Sequence, residues 1–365
     1  MSGLPRLVIL AEGQLDFERA KTAAGVIRYA PERVEAVLDS TRAGRTTGEV
    51  LGIGGDTPVV AGLDDLPPGA GPDALLVGIA PVGGGLPEEW RPVLREALRR
   101  GLDLWSGLHA FLSDDPELAA LAREQGAELR DLRRVPEDLP VAAGRARRTE
   151  AFRVLTVGSD CATGKMTAAL EIRRELGARG VDCGFGATGQ TGIALEGSGI
   201  AVDAVKADFV AGAAERVTLE AAEGRDLVLV EGQGSLFHPG YSGVTLGLLH
   251  GAMPGAMILT WMPSRPRIHG GDYAWTELPR LDRIVRAYED AARWARPAGA
   301  ATDPRVVAVA CTTYEMEEGP AREAVTRARD LTGLPAADPV RHGPGPLADA
   351  VQEAMEGARP GRREG

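Results

Sequence analysis

Gly158-Ser159-Asp160-Cys161-Ala162-Thr163-Gly164-Lys165-Met166-Thr167 is a run whose residue types suit an anion. Glycines near both ends let the backbone turn its N–H groups inward, a following helix adds the positive end of its dipole, and the lysine adds a point charge. Every residue of this run is a candidate for holding phosphate, and Lys165 is also a candidate for stabilising charge during a reaction. Two features differ from the common phosphate-loop spacing. The first glycine stands one residue early, and Met166 occupies the place where a Ser or Thr hydroxyl usually reaches Mg²⁺. The run therefore indicates phosphate firmly and Mg-nucleotide hydrolysis less firmly. Cys161 sits where a helix N-terminus lowers thiol pKa values; it is either a reactive thiolate or a small residue that packs under the loop.

A second group is Glu231-Gly232-Gln233-Gly234-Ser235-Leu236-Phe237-His238-Pro239, directly after the apolar run Leu227–Val230. A carboxylate at a strand end facing a phosphate loop suits two tasks. It can hold Mg²⁺, with Asp160 as the second carboxylate if a Mg-nucleotide is the ligand. It can equally take a proton from an amine nucleophile. His238 competes for that role because imidazole titrates near neutrality. Glu231, His238 and Lys165 are the catalytic candidates. Backbone N–H groups near Gly232–Ser235 are candidates for an oxyanion site.

Around these lie residues suited to hold a small substrate: Gln233 and Ser235 in the same loop, and Gln190 within Ala187-Thr188-Gly189-Gln190-Thr191-Gly192. That last run is either a ligand-approach loop or an ordinary glycine turn. Asp208 precedes a helical pattern, where it either faces the cleft or favours the helix dipole. Arg265 and Arg267, in the loop 261–273, suit a carboxylate through paired hydrogen bonds, against the alternative of a solvated surface loop.

Strands and helices must position these groups. Short apolar runs at 7–10, 34–38, 74–79 and 102–105 read as buried strands, with helices at 88–100 and 116–125 between and after them. Strand signals recur at 154–157, 181–186, 227–230, 256–260 and 305–310. Helix signals follow the phosphate loop and recur at 209–222, 281–295, 319–332 and 347–356. Strands separated by helices predict parallel βαβ units in α/β doubly wound sheets, with ligands outside the strand carboxyl ends. Gly52–Gly55 and Gly83–Gly85 lack the context of a dinucleotide fingerprint and are ligand-approach turns or plain loops. The polar stretch 133–150 reads as a linker or domain boundary, giving an N-terminal domain over 1–140 and a C-terminal one over 150–358. The tail 359–365 is polar and reads as frayed.

A net charge of −11 argues against general nucleic-acid binding, which needs basic surface. No run reaches the ~20 apolar residues of a membrane span, and the start lacks a secretory pattern. Cys161, Cys183 and Cys311 show neither metal nor disulfide spacing, so a cytoplasmic protein is expected. Its expected partners are a small amino-acid substrate and further copies of itself in a homo-oligomer, with no nucleic acid and no membrane.

The early-glycine loop together with Glu231-Gly232 resembles the branch of P-loop proteins that contains dethiobiotin synthetase. A closer likeness runs nearly end to end. It is carried by Lys21–Tyr29, Gly78-Ile79-Ala80-Pro81, Ser106-Gly107-Leu108-His109, Gly164-Lys165-Met166-Thr167, Ala207-Asp208-Phe209, Glu231–Ser235, Tyr241-Ser242-Gly243-Val244-Thr245 and Asp338-Pro339-Val340-Arg341. These resemble a bacterial family, formerly of unknown function, that includes D-glutamate N-acetyltransferase. The resemblance implies a Rossmann-like N-terminal domain followed by a P-loop NTPase-like domain. It also implies transfer of an acetyl group from acetyl-CoA to an amino acid's amine. Met166 belongs to that family's pattern, and a loop cradling the phosphates of CoA needs no hydroxyl for a metal. The sequence departs from the pattern around 261–273 and at Cys311-Thr312-Thr313, where an Asn is expected after the strand. The alternatives are an ATP- and Mg²⁺-dependent ligase or phosphotransferase acting through an acyl phosphate, and a nucleotide-binding protein without catalysis.

Overall fold

The computed structural model describes residues 3–79, 81, 84–273, 275–296 and 303–358. Ala80, Gly83 and the tail from residue 359, all singled out in the sequence, lie outside the described residues. Clustering of the chain gives two compact units, Met1–Val135 with Gln190–Ala201, and Pro136–Gly189 with Val202–Gly365.

The first unit is built on six parallel strands, β1 (Leu7–Leu10), β2 (Val34–Leu38), β3 (Val59–Val60), β4 (Ala74–Val77), β5 (Asp103–Ser106) and β6 (Leu129–Asp131), in the order 3-2-1-4-5-6. β1 and β4 are buried along their whole length, as continuous apolar runs in a sheet covered on both faces must be. Between the strands lie α1 (Lys21–Tyr29), α2 (Thr47–Leu51), α3 (Arg91–Arg99) and α4 (Pro116–Gln125). The ends of α4 are written in its sequence. Asp115 accepts from the N–H groups of Glu117 and Leu118, Pro116 fills the first position, and Gly126 closes the helix at φ +70°. The helix expected over 88–100 begins as one 3₁₀ turn at 88–90, because Pro92 can enter a helix only in its first turn. Gly52, left open between ligand turn and plain loop, caps α2 at φ +69° and so serves the fold.

The second unit repeats the plan with β7 (Phe152–Gly158), α5 (Lys165–Ala178), β8 (Cys183–Gly186), α7 (Val210–Ala222), β9 (Leu227–Val230), α8 (Ser242–Ala252), β10 (Ala256–Trp261), α9 (Leu281–Trp294), β11 (Arg305–Cys311), α10 (Glu318–Thr332), β12 (Ala336–Ala337) and α11 (Gly345–Ala358), while α6 (Gln190–Glu196), between β8 and α7 in sequence, belongs to the first unit. Its parallel sheet runs 12-11-10-7-9-8. β7 lies between β10 and β9, so the loops leaving those three strands open side by side at the carboxyl edge. Both sheets are α/β and doubly wound, as the alternating pattern predicts.

Two expectations are corrected. Gln190-Thr191-Gly192, read as part of a glycine loop, opens α6, and α6 packs within the first unit. There Thr191 and Thr22 pair through their hydroxyls at 3.1 Å, and Arg33 donates to the carbonyls of Ala194 and Leu195 at 3.0 and 3.2 Å. The stretch 133–150, read as a linker or domain boundary, does contain the division between the units at 135/136, but it is not a free linker. Arg133 is buried and donates to the Gly107 carbonyl at 2.8 Å, while Arg145 pairs with the fully buried Glu215 at 2.7 Å. Among the described residues no helix is long and apolar enough to cross a membrane.

Candidate active site

The loop between β7 and α5 is shaped by backbone that reverses hand: Ala162 has φ +51° and Gly164 φ +86°. Such a turn gathers N–H groups into a concavity, and α5 starts at Gly164 with no side chain capping it. The first-turn N–H groups of Lys165, Met166 and Thr167 thus remain for an anion. Neighbouring strand ends hold the loop. Ser159 N–H donates to the Thr260 carbonyl at 2.9 Å, Thr163 and Thr260 share a hydroxyl bond of 2.6 Å, and Thr312 Oγ1 donates to the Thr163 carbonyl at 2.8 Å. Thr312 is the residue where an Asn was expected, and it does this work with a hydroxyl. The Lys165 ammonium is buried and folds back to the Asp160 carbonyl at 2.8 Å. Burial lowers its pKa to about 8, although Cys161, Asp160 and Glu231 pull it upward.

Asp160 is fully buried. Its Oδ1 accepts from Cys161 N–H and its Oδ2 from His269 N–H, each at 2.6 Å. The carboxylate, proposed from the sequence for Mg²⁺, thus braces the loop internally through Oδ1 and fastens it to the segment after β10 through Oδ2. Of the two readings of Cys161, the structure favours the small packing residue over the reactive thiolate. Burial pushes the thiol up to about 11, outweighing the opposite pull of Lys165.

Glu231 follows β9 directly. Its Oε2 accepts from the N–H groups of Thr188 and Gly189, both at 3.1 Å, and its Oε1 from Gln233 Nε2 at 3.2 Å. Burial nonetheless raises its carboxyl to about 7, so desolvation outweighs the hydrogen bonds. The backbone here admits only glycine at 232: a Cβ would lie 1.7 Å from the Thr156 carbonyl oxygen and 3.1 Å from Lys165 Cδ. That close approach sets Gly232 against the lysine side chain, and the Lys165 ammonium feels the charge of Glu231. The oxyanion reading is narrowed, because the Gly232 N–H is spent on Thr156 Oγ1 at 2.9 Å. Ser235 is buried and donates to the Ser159 carbonyl at 3.0 Å, so it braces the phosphate loop.

His238, only 2% exposed, sits between the rings of Tyr241 and Tyr273, with centroids 4.5 and 4.6 Å away. Its Nδ1 accepts from Gly240 N–H at 3.1 Å. The neutral ring must then carry its proton on Nε2, which makes that atom a donor rather than a base. Ligand-type atoms of Asp160, Cys161 and His238 lie within 4.8 Å of one another, so the imidazole stands at the phosphate loop. Binding a metal through Nε2 would place a proton on Nδ1, against the Gly240 N–H.

The remaining sequence candidates separate. Arg265 is largely buried beside Glu315, whereas Arg267 is 56% exposed and paired with Glu277 at 2.9 Å. Asp208 is exposed on the single turn 207–209 and, among the described residues, makes no hydrogen bond to the loop. Gln190 accepts from Arg133 at 2.9 Å within the first unit. Sequence reasoning missed Tyr288, whose place in an amphipathic helix reads as core, and the backbone donors of Thr188 and Gly189, visible only as small residues in a loop.

The P-loop domain of DUF1611_C, a domain of unknown function, matches residues 140–348, and the Rossmann-like domain DUF1611_N matches residues 40–135. A D-glutamate N-acetyltransferase of Tritonibacter scottomollicae is 38% identical over 348 residues, 95% of this chain and 98% of that one. Another, from a Pseudoalteromonas species, is 35% identical over 75% of this chain and 79% of its own. The crystal structure of a DUF1611 family protein from Anabaena variabilis superimposes with a TM-score of 0.86 at 38% identity, covering 96% of this chain and 99% of that one. The chain therefore belongs to the DUF1611 family, with its Rossmann-like domain first and its P-loop domain second.

Proposed function

We propose that this protein is an N-acetyltransferase that moves the acetyl group of acetyl-CoA to the amine of a small amino acid such as D-glutamate. The observation that carries the reading is Glu231, a buried carboxyl poised near neutrality beside a loop made for phosphate. Two relatives named D-glutamate N-acetyltransferase support it. In this reading residues 158–167 take the phosphates of CoA, with Lys165 opposite their charge. Glu231 accepts the proton that the substrate ammonium must lose before nitrogen can attack the thioester carbonyl. Such a base contributes about 10²–10⁴ in rate. The His238 Nε2–H is a donor for the oxyanion of the tetrahedral intermediate. Collapse breaks the carbon–sulfur bond, the nitrogen gives up its second proton to the departing thiolate, and the proton held on Glu231 passes to solvent, one per turnover.

The second reading is an ATP-dependent ligase, favoured by the strand–loop–helix geometry and by the closeness of Glu231 to Lys165. It is weaker because Met166 offers no hydroxyl and both Asp160 oxygens already accept N–H groups. The two are separated by incubating the protein with an amino-acid panel plus either acetyl-CoA or Mg-ATP. Free CoA released without ATP supports acetyl transfer. ADP formed only when an amino acid is present replaces it with the ligase reading.

A further inference from the structure

β10 and the segment that follows it are tied to the phosphate loop at two points. Thr260 accepts from Ser159 N–H at 2.9 Å, and His269 N–H donates to Asp160 at 2.6 Å. Arg265 lies between these ties. Its side chain is only 18% exposed, and its Nη1 is buried with no hydrogen-bond partner. Nη2 stands 3.6 Å from Glu315 Oε1, an ion pair beyond hydrogen-bond length. Glu315 is already engaged, since Ser264 Oγ donates to its Oε2 at 2.8 Å and the Tyr314 hydroxyl to its Oε1 at 2.9 Å. Arg267 forms an antiparallel bridge with Glu277, and Ile268 N–H donates to the Thr276 carbonyl at 3.0 Å. The Thr276 hydroxyl is likewise buried without a hydrogen-bond partner.

A buried N–H donor left without a hydrogen-bond partner costs free energy that an incoming anion recovers. Guanidinium suits a planar carboxylate in particular, because its fixed fork meets two oxygens at once. Arg267 has no such need, being solvated and already paired.

We infer that Arg265 is the residue that anchors a carboxylate of the acceptor, so that the site selects amino acids over plain amines. The inference rests on the acyl-transfer reading for its acceptor, but the binding it describes can be measured without any reaction. A phosphate shares the same oxyanion chemistry. The carboxylate is favoured because the 158–167 loop and Lys165 already supply phosphate donors.

The test is calorimetric titration of wild type, Arg265→Met, Arg265→Lys and Arg267→Met with D-glutamate, with 4-aminobutyrate and 2-aminobutyrate (each lacking one of its carboxylates), and separately with CoA. Arg265→Met should weaken D-glutamate about 10- to 100-fold, as expected for a lost charged hydrogen bond. Arg265→Lys should recover part of that loss, and Arg267→Met should stay within about twofold. For Arg265→Met one of the two aminobutyrates should bind as in wild type, the one lacking the anchored carboxylate. CoA affinity should not move. Thermal unfolding of Arg265→Met should stay close to the wild-type temperature, since Nη1 makes no hydrogen bond and the Glu315 pair is long and partly exposed; an arginine serving only the fold would lower it. The inference is overturned if D-glutamate affinity is unchanged in Arg265→Met, if CoA affinity falls instead, or if wild type binds none of the amino acids. Absence of acetyl transfer with every acceptor would remove the proposed function while leaving the Arg265 titrations to be scored as they stand.

Discussion

The Tyr288 hydroxyl donates to the carbonyl of Gly158 at 2.6 Å, so a helix far along the chain holds the first residue of the phosphate loop. The same oxygen accepts from Leu236 N–H at 3.2 Å, joining that loop to the segment that carries Glu231 and His238. Tyr288→Phe would strand a carbonyl and an N–H in a buried site, at a cost of about 1–3 kcal/mol. Urea denaturation should show a lower midpoint with an unchanged slope. Because the hydroxyl positions the phosphate loop, KM for acetyl-CoA should rise more than kcat falls. An equal loss in both would place Tyr288 in the fold alone.

Glu231→Gln tests the proposed base. Activity should fall about 10²- to 10⁴-fold, and the acid limb of kcat/KM, expected near the carboxyl's pKa of about 7, should disappear. The same shift has a sign for stability. A carboxyl raised from 4.5 to about 7 binds more protons in the folded state, so its contribution to stability falls as pH rises through that window. The Gln variant, which cannot ionise, should gain on wild type in melting temperature between pH 5 and pH 8. Parallel melting curves across that range would count against the raised value.

Lys165 should take up a proton when phosphate arrives. Its pKa, lowered to about 8 by burial, must rise once an anion lies against the ammonium. Calorimetry of CoA binding near pH 8.5 in two buffers of different ionisation enthalpy should reveal net proton uptake, which vanishes at pH 6.5. Lys165→Ala should abolish both the uptake and most of the affinity, with circular dichroism unchanged.

Cys161→Ala should keep more than about half of the wild-type rate. With the thiol at about 11, only about one molecule in ten thousand carries a thiolate at pH 7. A rate loss as deep as that of Glu231→Gln would instead argue for an acetyl-cysteine intermediate, which should then be visible as a mass increase after incubation with acetyl-CoA.

Much of this was legible in the residues themselves. The runs 7–10, 34–38, 116–125 and 227–230 coincide with β1, β2, α4 and β9, because each is a continuous apolar or amphipathic segment with punctuated ends. The two-residue β3 and β12 escape such reading, since alternation cannot show in two positions. α6 and α8 were hidden by glycines in sequences that carry no amphipathic stripe. The site was half legible. Lys165 and Glu231 announce themselves by type and position, but the tautomer of His238 depends on the Gly240 N–H, and the spent oxygens of Asp160 depend on His269, more than a hundred residues away.

The excursion of α6 bears on how such a protein can be divided or inherited. A fragment ending at the apparent linker would lack the strip that pairs Thr191 with Thr22 and accepts from Arg33. The complementary fragment would carry that strip with nothing to cover it. A cut at residue 140 therefore parts the first unit from a helix that belongs to it, although each sheet stays whole on its own side of the cut.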